Sequence, residues 1–384
     1  MEQIIIIGCV LSFIVSFYAI PVIITVANKK KLYDIPDERK IHTTPISSLG
    51  GLGIFIGFMI GLLITINDLK SIPGFQYYIA SFLVIFFFGI KDDILVLSPI
   101  KKLIGQFIVA FILMVKAGLL IKNMHGFLGI GIINDPLAYC LTLFTILVVM
   151  NAYNLIDGVD GLAGTIGIIT ASIFAFFFYL NGDIFFSLLG FCFAASLLAF
   201  LIYNYSPAKI FMGDTGAMLS GAINAILVIR FIATAEEGPK ILPVLASPAM
   251  GFGILLMPLL DTLRVFGIRI MHGRSPFSPD RNHLHHILLD RGMSHMAVTF
   301  TIATSALCFI ALSYFSLPLG TTKVILLQIV IFFLGIMVLN MTKPRKRGEM
   351  RVIKGELDEN KTLGKKVRNF VSLSGAGAAA IEEE

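Results

Sequence analysis

Apolar residues arrive along the chain in long unbroken runs, such as Ile4–Ile24, Gln76–Ile90, Ile184–Tyr203 and Val324–Met341. Each approaches the roughly 20 residues that a helix needs to cross the hydrocarbon core of a bilayer. None alternates polar and apolar positions, the pattern a membrane-spanning barrel strand requires. The runs predict eleven spans, at about 4–26, 50–66, 76–90, 103–121, 138–155, 162–180, 184–203, 216–232, 242–260, 297–316 and 322–341. The expected fold class is an all-α polytopic membrane protein. A transmembrane domain over 1–341 is followed by a polar tail over 342–384. The tail is expected to be partly disordered, with Lys343–Arg351 lying against anionic headgroups.

Composition closes off the soluble alternatives. Hydrophobic residues make up 57% of the 384 and charged residues 14%, more apolar surface than a water-soluble core could hide. The four cysteines all lie in apolar segments without a CxxC pair, so they read as small buried hydrophobes. Met1–Ala27 lacks a basic start, and Lys29–Lys31 follow it; it is read as a retained first helix. The net charge of +6 follows the membrane, so no nucleic-acid partner is expected. With the N-terminus outside, 24 Lys and Arg fall on the inner side and 6 on the outer. That asymmetry orients the chain, with the C-terminus and the inner loops in the cytoplasm.

Ionisable residues cluster at the inner ends of the spans. Lys91-Asp92-Asp93 places two adjacent carboxylates where the third span ends, with Lys101 and Lys102 nearby. Adjacent acids persist best beside a cation or metal; a solvated helix end is the alternative. Asn151-Ala-Tyr-Asn154-Leu-Ile-Asp157-Gly-Val-Asp160-Gly161 repeats a polar group every third residue before two Asp-Gly steps. Such a stripe in a membrane helix is costly and marks function, and its oxygens suit a hard cation. A helix-packing patch is the alternative. Phe211-Met-Gly-Asp214-Thr215-Gly enters the eighth span, fitting a metal ligand near a bound phosphate or a plain N-cap. In Ser275–His286, three histidines fall within four residues near Arg274 and Arg281. That density favours an anion clamp over a zinc site. A solvated basic loop, to which Arg264 and Arg269 would belong, is the third reading. Cations at Arg39, Lys40 and His42 precede Gly50-Gly51-Leu52-Gly53 on the same side.

Together, KDD, NxxNxxDGxDGL, FMGDTG and DRxHLHH, in this order, resemble the polyprenyl-phosphate N-acetylhexosamine-1-phosphate transferase superfamily, over nearly the whole chain to about residue 341. The histidine loop reads His283-Leu284-His285-His286, closer to the WecA/TagO type than to MraY, which carries three consecutive histidines. The resemblance implies transfer of a HexNAc-1-phosphate, with UDP-GlcNAc as the usual donor, to undecaprenyl phosphate. Products are a pyrophosphate-linked lipid sugar and UMP. Mg²⁺ is the implied cofactor, with Mn²⁺ as a substitute, and a bacterial plasma membrane the implied location; a homodimer is implied only at family level. By motif, Asp214 resembles a metal ligand with Asn154 as co-ligand, and Phe211 the residue stacked on uracil. Asp157 and Asp160 resemble nucleotide and active-site acids. Asp92 and Asp93 match the essential pair, Asp92 being the better candidate to orient the lipid phosphate. Lys102 resembles a phosphate-contacting lysine, and Arg281, His283, His285 and His286 the pyrophosphate and sugar loop. Direct attack and a covalent aspartyl intermediate both stay open, as do a UDP-MurNAc-pentapeptide donor and a modified UDP-HexNAc donor. A nucleotide-sugar transporter or flippase is the reading from another class, disfavoured by the lack of a matching outer half-site.

Overall fold

The computed structural model describes residues 2–32, 46–66, 74–234, 248–276 and 281–342. The tail from 343, the inner-loop cations at 39–42 and Phe277–Asp280 of the histidine segment lie outside the described residues. In chain order the helices are α1 Glu2–Lys30, α2 Gly50–Thr65, α3 Phe75–Leu95, α4 Pro99–Phe111, α5 Asp135–Ile156, α6 Leu162–Leu180 and α7 Ile184–Asn204. They continue as α8 Gly213–Thr234, α9 Pro248–Ile254, α10 Leu256–Met271, α11 Leu284–Leu289, α12 His295–Ser316 and α13 Thr321–Met341. A π-helical stretch, Ile112–Lys116, prolongs α4. Met1–Leu334 forms one compact unit, which holds every site described below. The second unit, Gly335–Glu384, has only the helical residues to Met341 and Thr342 described.

Helix α8 is the axis of the bundle. Every side chain from Thr215 to Ile229 is buried, as expected of a helix that is apolar on all faces. It packs against α2, α3, α5 and α6. A Cβ on Gly51 of α2 would lie 2.1 Å from the Gly216 nitrogen, and one on Gly89 of α3 2.5 Å from Thr215 Cα. Both helices therefore meet the first turn of α8 backbone to backbone, which only small residues permit. Peripheral α1 shows the opposite pattern. Ile5, Gly8, Ser12, Ser16, Ile20, Ile23 and Ala27 form one buried stripe at helical spacing. Ile6, Val10, Ile14, Tyr18 and Val22 point outward, an apolar surface suited to lipid.

Each predicted span has a helix, but the expected eleven crossings are not all equivalent. Among the described residues, seven helices are long and apolar enough to cross a membrane, or eight if α9 and α10 count as one. α2 has 16 residues, α3 ends in the charged Lys91-Asp92-Asp93, and α4 has 13 before its π stretch. The ninth span, expected over 242–260, is corrected most. α9 and α10 are bent 83° at Leu255. Pro258, in the first turn of α10, lacks the N–H that would have bonded back across the break. Beyond it, α10 continues to Met271 through residues expected to be loop. The segment expected as a plain outer loop after α4 also holds a hairpin, β1 Asn123–Phe127 and β2 Ile130–Ile132, antiparallel with Phe127 opposite Ile130.

Candidate active site

The ends of α3, α5 and the beginnings of α2, α4 and α8 meet at one end of the bundle. Pro99 opens α4, a position where its missing N–H costs nothing, and Lys102 follows in the first turn. Its Nζ lies 2.5 Å from Asp92 Oδ2 and 3.0 Å from Asp214 Oδ1. Asp214 Oδ1 also accepts from Asn154 Nδ2 at 2.5 Å. Residues from α3, α4, α5 and α8, spread over more than a hundred positions, thus form one connected centre. Asp92 is 3% exposed, and its Oδ1 accepts from Leu97 N at 2.7 Å, closing the turn into α4.

Asp93 has another task. Its Oδ1 accepts from Asp214 N at 2.7 Å, and its Oδ2 accepts from Thr215 N at 3.1 Å and Thr215 Oγ1 at 2.5 Å. It satisfies the open N–H groups of α8 and complements the helix dipole. Through that cap it fixes Asp214. Gly213 sits at φ +70°, and a Cβ there would meet the Ser48 carbonyl and Asp93; only glycine fits this turn.

Asp157 caps the end of α5, half-buried. Burial, then the charges of Asp214, Asp93 and Asp160, push its carboxyl up to about 8. A raised carboxyl favours the neutral form in the fold, so its contribution is full below the usual value near ~4 and is lost as pH rises toward 8. In metal-free buffer the melting temperature should therefore fall between pH 5 and 8.5. Asp157→Asn should flatten that slope; equal slopes by thermal denaturation in detergent would contradict the assignment.

Asp160, 4% exposed, joins three segments. Its carboxylate lies 3.3 Å from His295 Nδ1 and accepts from Ala208 N at 3.4 Å, and its carbonyl accepts from Thr299 Oγ1 at 3.0 Å.

The histidine segment is organised by Asp261 of α10. Asp261 Oδ2 lies 2.9 Å from His283 Nδ1, Oδ1 accepts from Arg264 at 2.7 Å, and Leu284 N donates to both oxygens. The far ring nitrogen of His283 lies 3.4 Å from Arg269, which also donates to the Pro276 carbonyl. Arg264 and Arg269 are therefore scaffold in a helix, which corrects the reading of them as solvated loop residues. His285 is buried; desolvation, then the neighbouring charge of His286, holds its imidazole down at about 3, neutral at ordinary pH. Its Nε2 would lie 2.4 Å from a Cβ on Gly158, so this ring rests directly on the Asp157–Gly161 turn. His286 is half-buried and shifted down by burial and by Arg281. Arg281 is exposed and paired with Asp290 at 3.4 Å. Asp261→Ala would leave Arg264 and His283 buried without their partner, a loss of about 3–5 kcal/mol. Thermal unfolding should show a large drop for Asp261→Ala and a smaller one for Asp261→Asn; a wild-type melting temperature in both would contradict the hub role.

Phe211 contributes its backbone as well as its half-buried ring. Its N donates to the Ser47 carbonyl at 2.8 Å and its carbonyl accepts from Gly50 N at 2.9 Å, tying the approach to α8 onto α2. Asp261, Thr215 and His295 join the site beyond the expected members; of these only Asp261 carried the signal of a polar group flanked by apolar helix. Asp92, Asp214 and Asn154 offer the oxygen chemistry that hard cations take. Asp92 and Asp214 share the ammonium of Lys102, Asp93 caps α8 beside them, and burial together with the charges of Asp214 and Asp93 raises Asp157. The donor set fits a divalent cation, although among the described residues no three His, Cys, Asp or Glu side chains already converge as a metal site.

Fold and site together define a polytopic helical membrane protein with a lysine-bridged carboxylate centre at one end of its bundle. The glycosyl transferase family 4 description matches residues 75–232, the stretch holding Asp92, Lys102, Asn154 and Asp214. The chain is 30% identical over 292 residues to undecaprenyl-phosphate alpha-N-acetylglucosaminyl 1-phosphate transferase of Yersinia pestis, covering 74% of this chain and 77% of that protein. It is 31% identical over 315 residues to decaprenyl-phosphate N-acetylglucosaminephosphotransferase of Mycobacterium leprae, covering 75% and 78%. The chain belongs to glycosyl transferase family 4, within its polyprenyl-phosphate N-acetylglucosamine-1-phosphate transferases.

Proposed function

We propose that the protein transfers GlcNAc-1-phosphate from UDP-GlcNAc to undecaprenyl phosphate, giving undecaprenyl-pyrophosphoryl-GlcNAc and UMP at the inner face of a bacterial plasma membrane. The observation that carries this reading is Lys102 shared between Asp92 and Asp214, in a chain whose relatives are named for that transfer. A lipid-phosphate oxygen attacks the β-phosphorus of the donor. The new P–O bond forms as the bond to the bridging oxygen breaks, and UMP leaves with that oxygen. Phosphoryl transfer needs positioning and charge neutralisation above all. Lys102 supplies a fixed positive charge beside the attacking phosphate, and Asp92, held by Leu97 N, aims it. Asp93 fixes Asp214 through the α8 cap. Mg²⁺ would be held by Asp214 with Asn154 and would neutralise the donor diphosphate. The eleven-span topology, with α2, α3 and α4 also crossing and an outward N-terminus, belongs to the same proposal and rests on the distribution of Lys and Arg.

Purified protein should release UMP only when undecaprenyl phosphate, UDP-GlcNAc and Mg²⁺ are all present. Release without lipid phosphate, or none with any UDP-HexNAc, would contradict it.

A further inference from the structure

We infer that His295 is a positioning residue for this transfer, acting through Asp160 to hold Asp157 toward the lysine–carboxylate centre; the inference rests on the reaction proposed above. The turn from Asp157 to Gly161 contains two glycines, so its backbone is intrinsically permissive and takes its shape from what grips it. Two histidines grip it from different segments. His285 lies against Gly158. His295, the first residue of α12, brings Nδ1 to 3.3 Å from Asp160 Oδ1 and 3.4 Å from Asp160 N. In one tautomer that nitrogen donates to the Asp160 carboxylate and in the other it accepts from the Asp160 N–H, so the ring has a partner on Asp160 in either. Asp157 lies three residues earlier in the same turn, within the fields of Asp214 and Asp93, so a displaced turn moves its carboxyl group relative to those acids.

The imidazole is separable from the docking of α12. Ser294 caps that helix, accepting from Ala297 N at 3.3 Å, and Thr299 independently donates to the Asp160 carbonyl at 3.0 Å. Loss of the ring should therefore loosen the turn while the helix stays formed and seated.

The test is steady-state transfer of GlcNAc-1-phosphate by the full chain carrying His295→Ala, His295→Asn or His295→Gln, with kcat and both substrate KM values. The Asn amide occupies the place of Nδ1, whereas the Gln amide reaches only the place of Nε2. His295→Ala should lower kcat about 10–100-fold, the cost of misplacing a reacting group by about an ångström, with both KM values unchanged. His295→Asn should recover most of that loss and His295→Gln little of it. If His295→Ala is destabilised, the Asn-to-Gln contrast at equal melting temperature decides. Wild-type kcat in His295→Ala, equal kcat in the Asn and Gln variants, or a rise in KM alone would overturn the positioning role. Absence of turnover in the wild-type protein would instead overturn the transfer reading, and this inference with it.

Discussion

Asp214→Asn is expected to lower turnover by about 10³-fold or more while leaving the protein folded. Asn matches Asp in volume and can still accept from Lys102 and Asn154, which contact Asp214 Oδ1 at 3.0 and 2.5 Å. The backbone cap from Asp93 to Asp214 N and Thr215 N is untouched. What disappears is one negative charge at the start of α8. Charge placed in advance in a water-poor site is where phosphoryl transfer gains most of its rate. Initial rates beside a melting curve separate the outcomes: an unchanged melting temperature with lost turnover is predicted, and a fully active Asp214→Asn would remove the carboxylate from the chemistry.

Lys102→Met should lower kcat by about 10²-fold and, in the same protein, reduce the Mg²⁺ concentration needed for half-maximal rate. The ammonium stands 2.5 Å from Asp92 and 3.0 Å from Asp214. At such distances it opposes a second cation drawn to the same carboxylates. Removing it takes away the charge that meets the acceptor phosphate and also the competitor for the acids. Titrating Mg²⁺ against rate reads both effects at once. A Mg²⁺ demand that stays the same or rises would show that lysine and metal do not share this centre.

Much of the centre was legible because a membrane penalises polar residues wherever they have no task. Asp92, Lys102, Asn154 and Asp214 each interrupt strongly apolar sequence, and the structure joins them. The division of labour between Asp92 and Asp93 was not legible. Neighbours on a helix point about 100° apart, so one meets Lys102 while the other meets the α8 terminus, and only the packing of α3 on α8 decides which. Asp261 was hidden for another reason. Apolar periodicity ends a span at the first charge, whereas α10 restarts after the Leu255 break and carries Asp261, Arg264 and Arg269 onward as a buried scaffold. His295 sits nine residues beyond the last histidine of the dense cluster, and its role depends on a turn 135 residues away. The β1–β2 hairpin escaped because strands of five and three residues are too short for alternation to register. The paths of α2, α3 and α4, which are short or end in charge, were less legible, since hydropathy reports how apolar a segment is and leaves its path to packing.

The central claim is that the phosphate next to the sugar travels with it to the lipid. Donor labelled with ³²P at the β-phosphate tests this directly, by following the label into the organic phase with undecaprenyl phosphate and Mg²⁺ present. The account predicts label in the lipid product and unlabelled UMP in water, with both lost in Asp214→Asn. Label remaining in water as UDP while the sugar moves to lipid would contradict it, because the protein would then be transferring the sugar alone.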